Sequence, residues 1–193
     1  MINRKFFFDH ARTYLFGGTL KQSQVNGVTA ILDEWDKRWA KKDDRWLAYI
    51  LATTHHETDR TMMPIEEYGK GHGRAYGRNL KMDGTHYTDT PNIFYGRGFV
   101  QLTWYENYEK AGKKLRKNFI KNPEQVMRLN PASKIMFKGM DEGWFTGKKL
   151  SDYFNPETED WINARRIING LDKASLIAGY ARQYYAAISH TIY

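Results

Sequence analysis

Residues 62–91 carry five glycines (Gly69, Gly71, Gly73, Gly77 and Gly84) among Tyr, His and Thr, and show no helical period. The segments on both sides repeat apolar residues at helical spacing. That contrast predicts a mainly α fold with a small irregular or β portion between the second and third helices. Short strands are expected at 65–68 and 92–95. Long irregular stretches in compact domains are often functional, so the chemistry is sought there and at its borders.

Around that stretch the helices read in order. Val25, Val28, Ile31, Leu32 and Trp35 predict a helix over 22–39. Asp43 or Asp44 can cap the next one, which runs to about Thr58. Helical spacing resumes after Gly98 with Val100, Leu102, Tyr105, Tyr108 and Leu115. Asn122-Pro123-Glu124 opens another helix, with Pro in its first turn. Met127, Ile135, Met136 and Met140 are assigned to the core. Asn155-Pro156 opens a further turn, followed by Trp161, Arg165 and Ile168 and stopped by Gly170. The last helix, about 172–188, gathers Leu176, Ile177, Tyr180, Ala181, Tyr184 and Ile188 on one side. No repeat, low-complexity tract or Pro-rich linker divides the chain, which predicts one domain over 1–193.

Composition narrows the function classes. The chain has no cysteine, which excludes disulfides, a thiolate metal site and a thiol nucleophile. It starts Met1-Ile2-Asn3-Arg4-Lys5-Phe6-Phe7-Phe8-Asp9, but an apolar run of three stopped by Asp9 is too short for a secretory h-region. No run is long enough to span a membrane. The formal net charge of +8 would attract a polyanion such as nucleic acid, anionic lipid or an anionic cell envelope. With 6 Trp, 13 Tyr and 10 Phe the aromatic share is high; large side chains fill the core, and some are expected to line a groove.

One carboxylate stands out. At ~100° per residue, Trp46, Leu47, Ile50, Leu51 and Thr54 share a helix face, and Glu57 falls at its edge while His56 points away. A carboxyl group held against apolar surface loses hydration and can serve as a proton donor near neutral pH. Glu66 and Glu67 lie across a break at Pro64. If the chain turns back there, one of them can face Glu57, and two carboxylates in different environments are the minimum equipment for glycoside hydrolysis. Other chemistries find less support. The zinc-protease pattern needs a second His where His56-Glu57-Thr58-Asp59-Arg60 has Arg60, and nothing fixes His72 or His86 as distant ligands. There is no G-x-S-x-G elbow, and Gly69-Lys70-Gly71-His72-Gly73 is neither a P-loop nor a dinucleotide fingerprint. No metal and no cofactor are expected. Finally, Gly96 and Gly98 allow a tight turn into a helix, with Gln101 and Thr103 at its start, placed to hydrogen-bond a sugar or a water.

Three stretches together resemble the family 19 glycoside hydrolases, the chitinases and related phage endolysins of lysozyme-like fold. They are His56-Glu57-Thr58, the segment from Tyr95-Gly96-Arg97-Gly98 through Gln101-Leu102-Thr103 to Asn107-Tyr108, and Ile167-Ile168-Asn169-Gly170. The resemblance covers about 48–170. Gly143-Trp144-Phe145-Thr146-Gly147 and the segment 163–171 are most similar to the endolysin branch. The resemblance implies a lysozyme-like single domain with a small irregular or β portion beside an active-site cleft. It implies Glu57 as general acid, Glu66 or Glu67 as general base, and Thr103 in place of the usual Ser that holds the attacking water. It also implies His56, Tyr95, Gln101, Asn107 and Asn169 as substrate-binding residues. The family usually inverts configuration. The expectation is an endolysin acting on the β-1,4 bonds of peptidoglycan as a monomer. Its basic surface would meet the anionic envelope, with no nucleic acid and no protein partner required. It would wait in the host cytoplasm until a holin admits it to the periplasm. Alternatives are a chitinase, a lytic transglycosylase and a non-catalytic binder of anionic polymer.

Overall fold

A computed structural model describes residues 2–189. The fold is mainly α, with six α-helices and four two-residue strands among the described residues. The chain forms two compact units, Met1–Met62 with Met136–Tyr193, and Met63–Ile135. No described helix is long and apolar enough to cross a membrane.

The first unit is built around α3 (Asp44–Glu57), in which every residue from Trp46 to His55 is buried. The single stripe expected from the periodicity is therefore only part of what this helix buries. Each fully buried Leu or Ile contributes about 2 kcal/mol of transfer free energy, so Leu47, Ile50 and Leu51 anchor the unit. The Asp43 carboxylate accepts the Arg45 N–H at 3.0 Å and caps the start of the helix. α3 packs on α6 (Ala174–Ile188). The buried face of α6 carries Ala174, Ala178 and Ala181, small side chains that let two helices approach closely. Leu176 is 45% exposed, so it leaves the core side on which the periodicity had placed it. α1 (Arg4–Tyr14) also packs on α6, where Phe7 stacks on Tyr184. Its start is fixed by Asn3, whose side chain accepts the Phe6 N–H at 3.1 Å. α2 (Gln22–Arg38) packs against α3 and buries Val28, Ile31, Leu32 and Trp35.

Asn155-Pro156 opens a turn as expected, but no α-helix follows it before Gly170. The turn lies between β3 (Phe154–Asn155) and β4 (Thr158–Glu159), where the Asn155 side chain accepts the Glu157 N–H at 2.9 Å. A 3-10 turn, Asn163–Ile167, follows.

In the second unit β1 (Ile65–Glu66) pairs antiparallel with β2 (Arg97–Gly98), in the register Ile65↔Gly98 and Glu66↔Arg97. The second strand thus lies after the expected 92–95. The reason is that the carbonyls of 92–95 are already committed elsewhere. Asn92 accepts the Tyr87 hydroxyl, Ile93 accepts Arg97, Phe94 accepts the Trp104 N–H and Tyr95 accepts the Tyr108 hydroxyl. Helix does not resume at Gly98 either. The Arg97 and Leu102 backbones exchange hydrogen bonds of 3.2 and 2.9 Å, Gln101 takes φ +51°, and α4 (Tyr105–Leu115) begins only after Trp104. Pro123 opens a 3-10 turn, Pro123–Met127, and α5 (Leu129–Glu142) follows it. Ile135, Met136 and Met140 are buried as expected, whereas Met127 is only half-buried beside the buried Val126.

Candidate active site

In the first unit Glu57 is the last residue of α3. The Thr58 hydroxyl donates to the Thr54 carbonyl at 2.7 Å and accepts the Met62 N–H at 3.0 Å, which ties the helix end to the turn after it. Asp59, Arg60 and Met62 all have positive φ, and the Arg60 N–H donates to the His55 carbonyl at 2.8 Å, closing the helix as a left-handed cap does. Glu57 does not rest against apolar surface alone. Its Oε1 accepts Arg165 Nη1 at 2.6 Å. Arg165 comes from the 3-10 turn, is 3% exposed, and also donates through Nε to the Asp172 carbonyl at 3.1 Å. The buried Arg165 guanidinium is thus held by the Glu57 carboxyl group and a backbone carbonyl, which fixes where Glu57 Oε1 points. No hydrogen bond reaches Glu57 Oε2 among the described residues, so that oxygen is available to a ligand.

His56 and Asn169 belong to the same unit. His56 is half-buried. Asn169 is exposed, and its side-chain oxygen accepts the Gly170 N–H at 2.8 Å. His55, next to His56, is fully buried and bonded through Nδ1 to the Tyr184 hydroxyl at 3.0 Å. Burial first, then the charges of Arg60 and His56, push the His55 pKa down to about 4.

The second unit gathers several of the expected residues directly. Glu66 Oε1 accepts the Tyr95 hydroxyl at 3.0 Å and Arg97 Nε at 3.4 Å, and Lys70 Nζ lies 3.6 Å from Oε2. Burial opposes ionisation of Glu66, but the Tyr95 hydroxyl and the Lys70 and Arg97 charges outweigh it and hold the carboxyl below its ordinary range. It is thus ionised at neutral pH, the state a general base needs. Arg97 is 6% exposed, lies over the Tyr95 ring at 3.5 Å, and donates to the Ile93 carbonyl and the Tyr108 hydroxyl, both at 3.0 Å. Its place is therefore fixed by four neighbours.

Glu67 differs. Its Oε1 accepts the Tyr76 hydroxyl at 2.8 Å and its Oε2 accepts the Gly96 N–H at 3.1 Å, so both oxygens hold the loop together. A Cβ at Gly96 would meet Gln101 Oε1 at 2.8 Å, so the Gln101 amide would have to shift, while Glu67 Cβ at 3.4 Å would be in ordinary contact. Gln101 donates to the Ile65 carbonyl at 3.0 Å. Asn107 donates to the Thr103 carbonyl at 2.9 Å, so its amide supports the turn that carries Thr103. Gln101 and Thr103 stand in that turn rather than at a helix start.

Sequence reasoning did not single out Arg165, Arg97 or Tyr76, the residues that hold the three carboxylates. For Arg165 a signal existed: a cation in step with Trp161 and Ile168 is a cation inside the protein, and such groups are almost never buried unpaired.

Comparison with known proteins places this arrangement in context. Residues 32–166 match the family 19 glycoside hydrolases, described as chitinase class I. An acidic endochitinase from Petunia hybrida is 29% identical over 136 residues, covering 69% of this chain and 46% of that protein. An acidic endochitinase from Dioscorea japonica is 32% identical over 154 residues, covering 75% and 57%. The chain spans about half the length of the curated relatives it matches. Among solved structures, chitinase C from Streptomyces griseus superposes with a TM-score of 0.68 at 20% identity, covering 98% of this chain and 93% of the other. A family 19, class IV chitinase from Zea mays gives 0.62 at 16%, covering 96% and 92%. At these identities the structural likeness is one of fold.

Proposed function

The chain belongs to the family 19 glycoside hydrolases, and from that premise we propose that it hydrolyses the β-1,4 bonds of bacterial peptidoglycan as an endolysin. Glu57 donates its proton to the leaving glycosidic oxygen as the C1–O bond breaks. Glu66 takes a proton from the water that attacks C1, with Thr103 holding that water. The product sugar gains the hydroxyl at C1 with inverted configuration. Glu66 is preferred over Glu67 as base because it is 36% exposed and held in its ionised form, whereas Glu67 ties the loop together by accepting a backbone N–H and the Tyr76 hydroxyl. His56, Tyr95, Gln101, Asn107 and Asn169 are assigned to the substrate, Tyr95 acting through its bond to Glu66.

The observation that carries peptidoglycan over chitin is the net charge of +8. A chitin strand is neutral, while peptidoglycan carries carboxylates that a basic surface attracts. On this reading the protein works as a monomer, the two units act as one catalytic domain, and lysis follows its release from the host cytoplasm into the periplasm. The second reading, a chitinase, is favoured by the relatives, which are acidic endochitinases.

Mass spectrometry of products from purified sacculi separates them. Disaccharide-peptides with intact reducing ends support the peptidoglycan hydrolase, anhydro ends indicate a transglycosylase, and cleavage of chitin oligomers alone indicates the chitinase. Glu57→Gln should lower release about a thousandfold while the fold is kept, the usual scale for losing a general acid. A folded Glu57→Gln protein with most of its activity would overturn the assignment.

A further inference from the structure

A groove of about 1040 Å³ opens in the second unit along the C-terminal half of α4 and the segment after it. None of the candidate carboxylates, Gln101, Thr103 or Asn107 lines it, and it meets the candidate site only at Tyr108, which holds Arg97. Lys113, Arg116, Lys117 and Lys121 line it, against the carboxylates of Asp89 and Glu109. Both carboxylates are engaged, since Glu109 pairs with Lys113 at 2.9 Å and Asp89 accepts the Tyr105 hydroxyl at 2.7 Å. Arg116, Lys117 and Lys121 are exposed and have no ion pair among the described residues.

Cations at a helix C-terminus offset its macrodipole, but that effect fades within the last turn. It accounts for Lys113. It does not account for Lys121, which lies well beyond the helix end at Leu115. The backbone that carries these cations is fixed. The Lys117 N–H donates to the Gly112 carbonyl at 2.9 Å, and a Cβ at Gly112 would stand 2.7 Å from the Lys117 carbonyl oxygen. The Lys121 N–H donates to Asn118 at 2.9 Å, and the Asn92 amide holds the Ile120 and Lys121 carbonyls at 2.9 and 3.1 Å. A fixed backbone spares the segment its own ordering cost on binding an anion, so only the rotamer freedom of the Lys and Arg side chains is lost.

We propose that this groove is a non-catalytic site for the carboxylate-bearing stem peptides of a peptidoglycan strand, an inference that rests on the peptidoglycan reading above. Carboxylates on successive stems pair with Arg116, Lys117 and Lys121 and keep the strand on the enzyme between cuts. The test measures pelleting with purified sacculi at low salt in the Glu57→Gln background, where binding is seen without turnover. One variant adds Arg116→Gln, Lys117→Gln and Lys121→Gln. A control adds Lys41→Gln, Lys148→Gln and Lys149→Gln, three exposed lysines of the other unit with the same change in net charge. Circular dichroism checks that each is folded. The groove variant should bind roughly tenfold more weakly, as the loss of three exposed ion pairs predicts. The control should bind like its parent, and the parent should bind sacculi stripped of stem peptides no better than the groove variant binds intact ones. Equal binding by groove variant and parent, equal loss in the control, or undiminished binding to stripped sacculi would each overturn the proposal. Fragment release from the same sacculi by the wild type reports on the hydrolase reading separately, so failure of one is distinguishable from failure of the other.

Discussion

The two units hold their candidate carboxylates by opposite means. Glu57 ends a helix buried on all sides, and one long-range partner, Arg165, 108 residues away in sequence, secures it. Glu66 sits on a two-residue strand among loops, and its support is spread over a tyrosine hydroxyl, a buried arginine and a lysine. Regular structure delivers a side chain by position along the helix and needs one further contact. Irregular structure must fix its side chains contact by contact, and so uses more of them.

If that contrast is right, Arg165→Met should have the largest effect on stability. It strands a partly buried carboxylate, a change that costs about 3–5 kcal/mol, and denaturant unfolding would register it. Loss under 1 kcal/mol would mean that Glu57 has support other than the ion pair. Acid comes next and separates the units by pH. The His55 pKa is about 4 in the folded protein against about 6.5 unfolded, so the unfolded chain takes up the proton first as pH falls. The stability this histidine provides is whole above pH 6.5 and declines by about 3 kcal/mol down to pH 4. Glu66, whose folded pKa is depressed, contributes stability above its unfolded value, lost only as pH falls below that. Unfolding curves for the wild type and His55→Gln between pH 7 and 4 should therefore diverge in slope, the variant lacking the His55 component. Parallel curves would place the acid sensitivity elsewhere.

Within the second unit, Glu66→Gln should reduce turnover about a hundredfold, the scale of a lost general base. Glu67→Gln should act chiefly on stability, because it weakens the bonds from Tyr76 and Gly96. The reverse pattern would move the base to Glu67. The smallest effect is expected for Tyr95→Phe, which removes one of several supports of Glu66 and should cost about 1 kcal/mol. The acidic limb of its pH profile should move to higher pH, because the base loses a hydrogen bond that favours ionisation. A collapse as severe as that of Arg165→Met would show that support in this unit is not distributed after all.

Much of the helical frame was legible because its signals are local. Asp43 caps α3 where the sequence says it should, and α2 ends at Arg38, within a residue of its expected limit. α1 went unread because Phe6-Phe7-Phe8 was weighed as a failed signal segment, although Asn3 followed by Phe6 is a local capping signal. The turn at Asn155-Pro156 is legible from its residues, but the strand pairing on either side of it is not, since two-residue strands carry no period. The second unit was least legible. The carbonyls of 92–95 are claimed by Tyr87, Arg97, Trp104 and Tyr108, and no periodicity encodes such pairings. The same limit applies to the site: the carboxylates are visible as residues, but Arg165 and Arg97 as their partners depend on contacts made far along the chain.

Gly96 bears on what can be changed here. Its missing side chain is what allows Glu67 and Gln101 to close on either side of it. A combinatorial library over 95–103, built to shift which sugar is accepted, would find positions 96 and 101 linked. A residue larger than glycine at 96 requires the Gln101 amide to leave its place, and with it the bond to the Ile65 carbonyl. Retuning of substrate preference at 96 therefore has to be sought in pairs with 101.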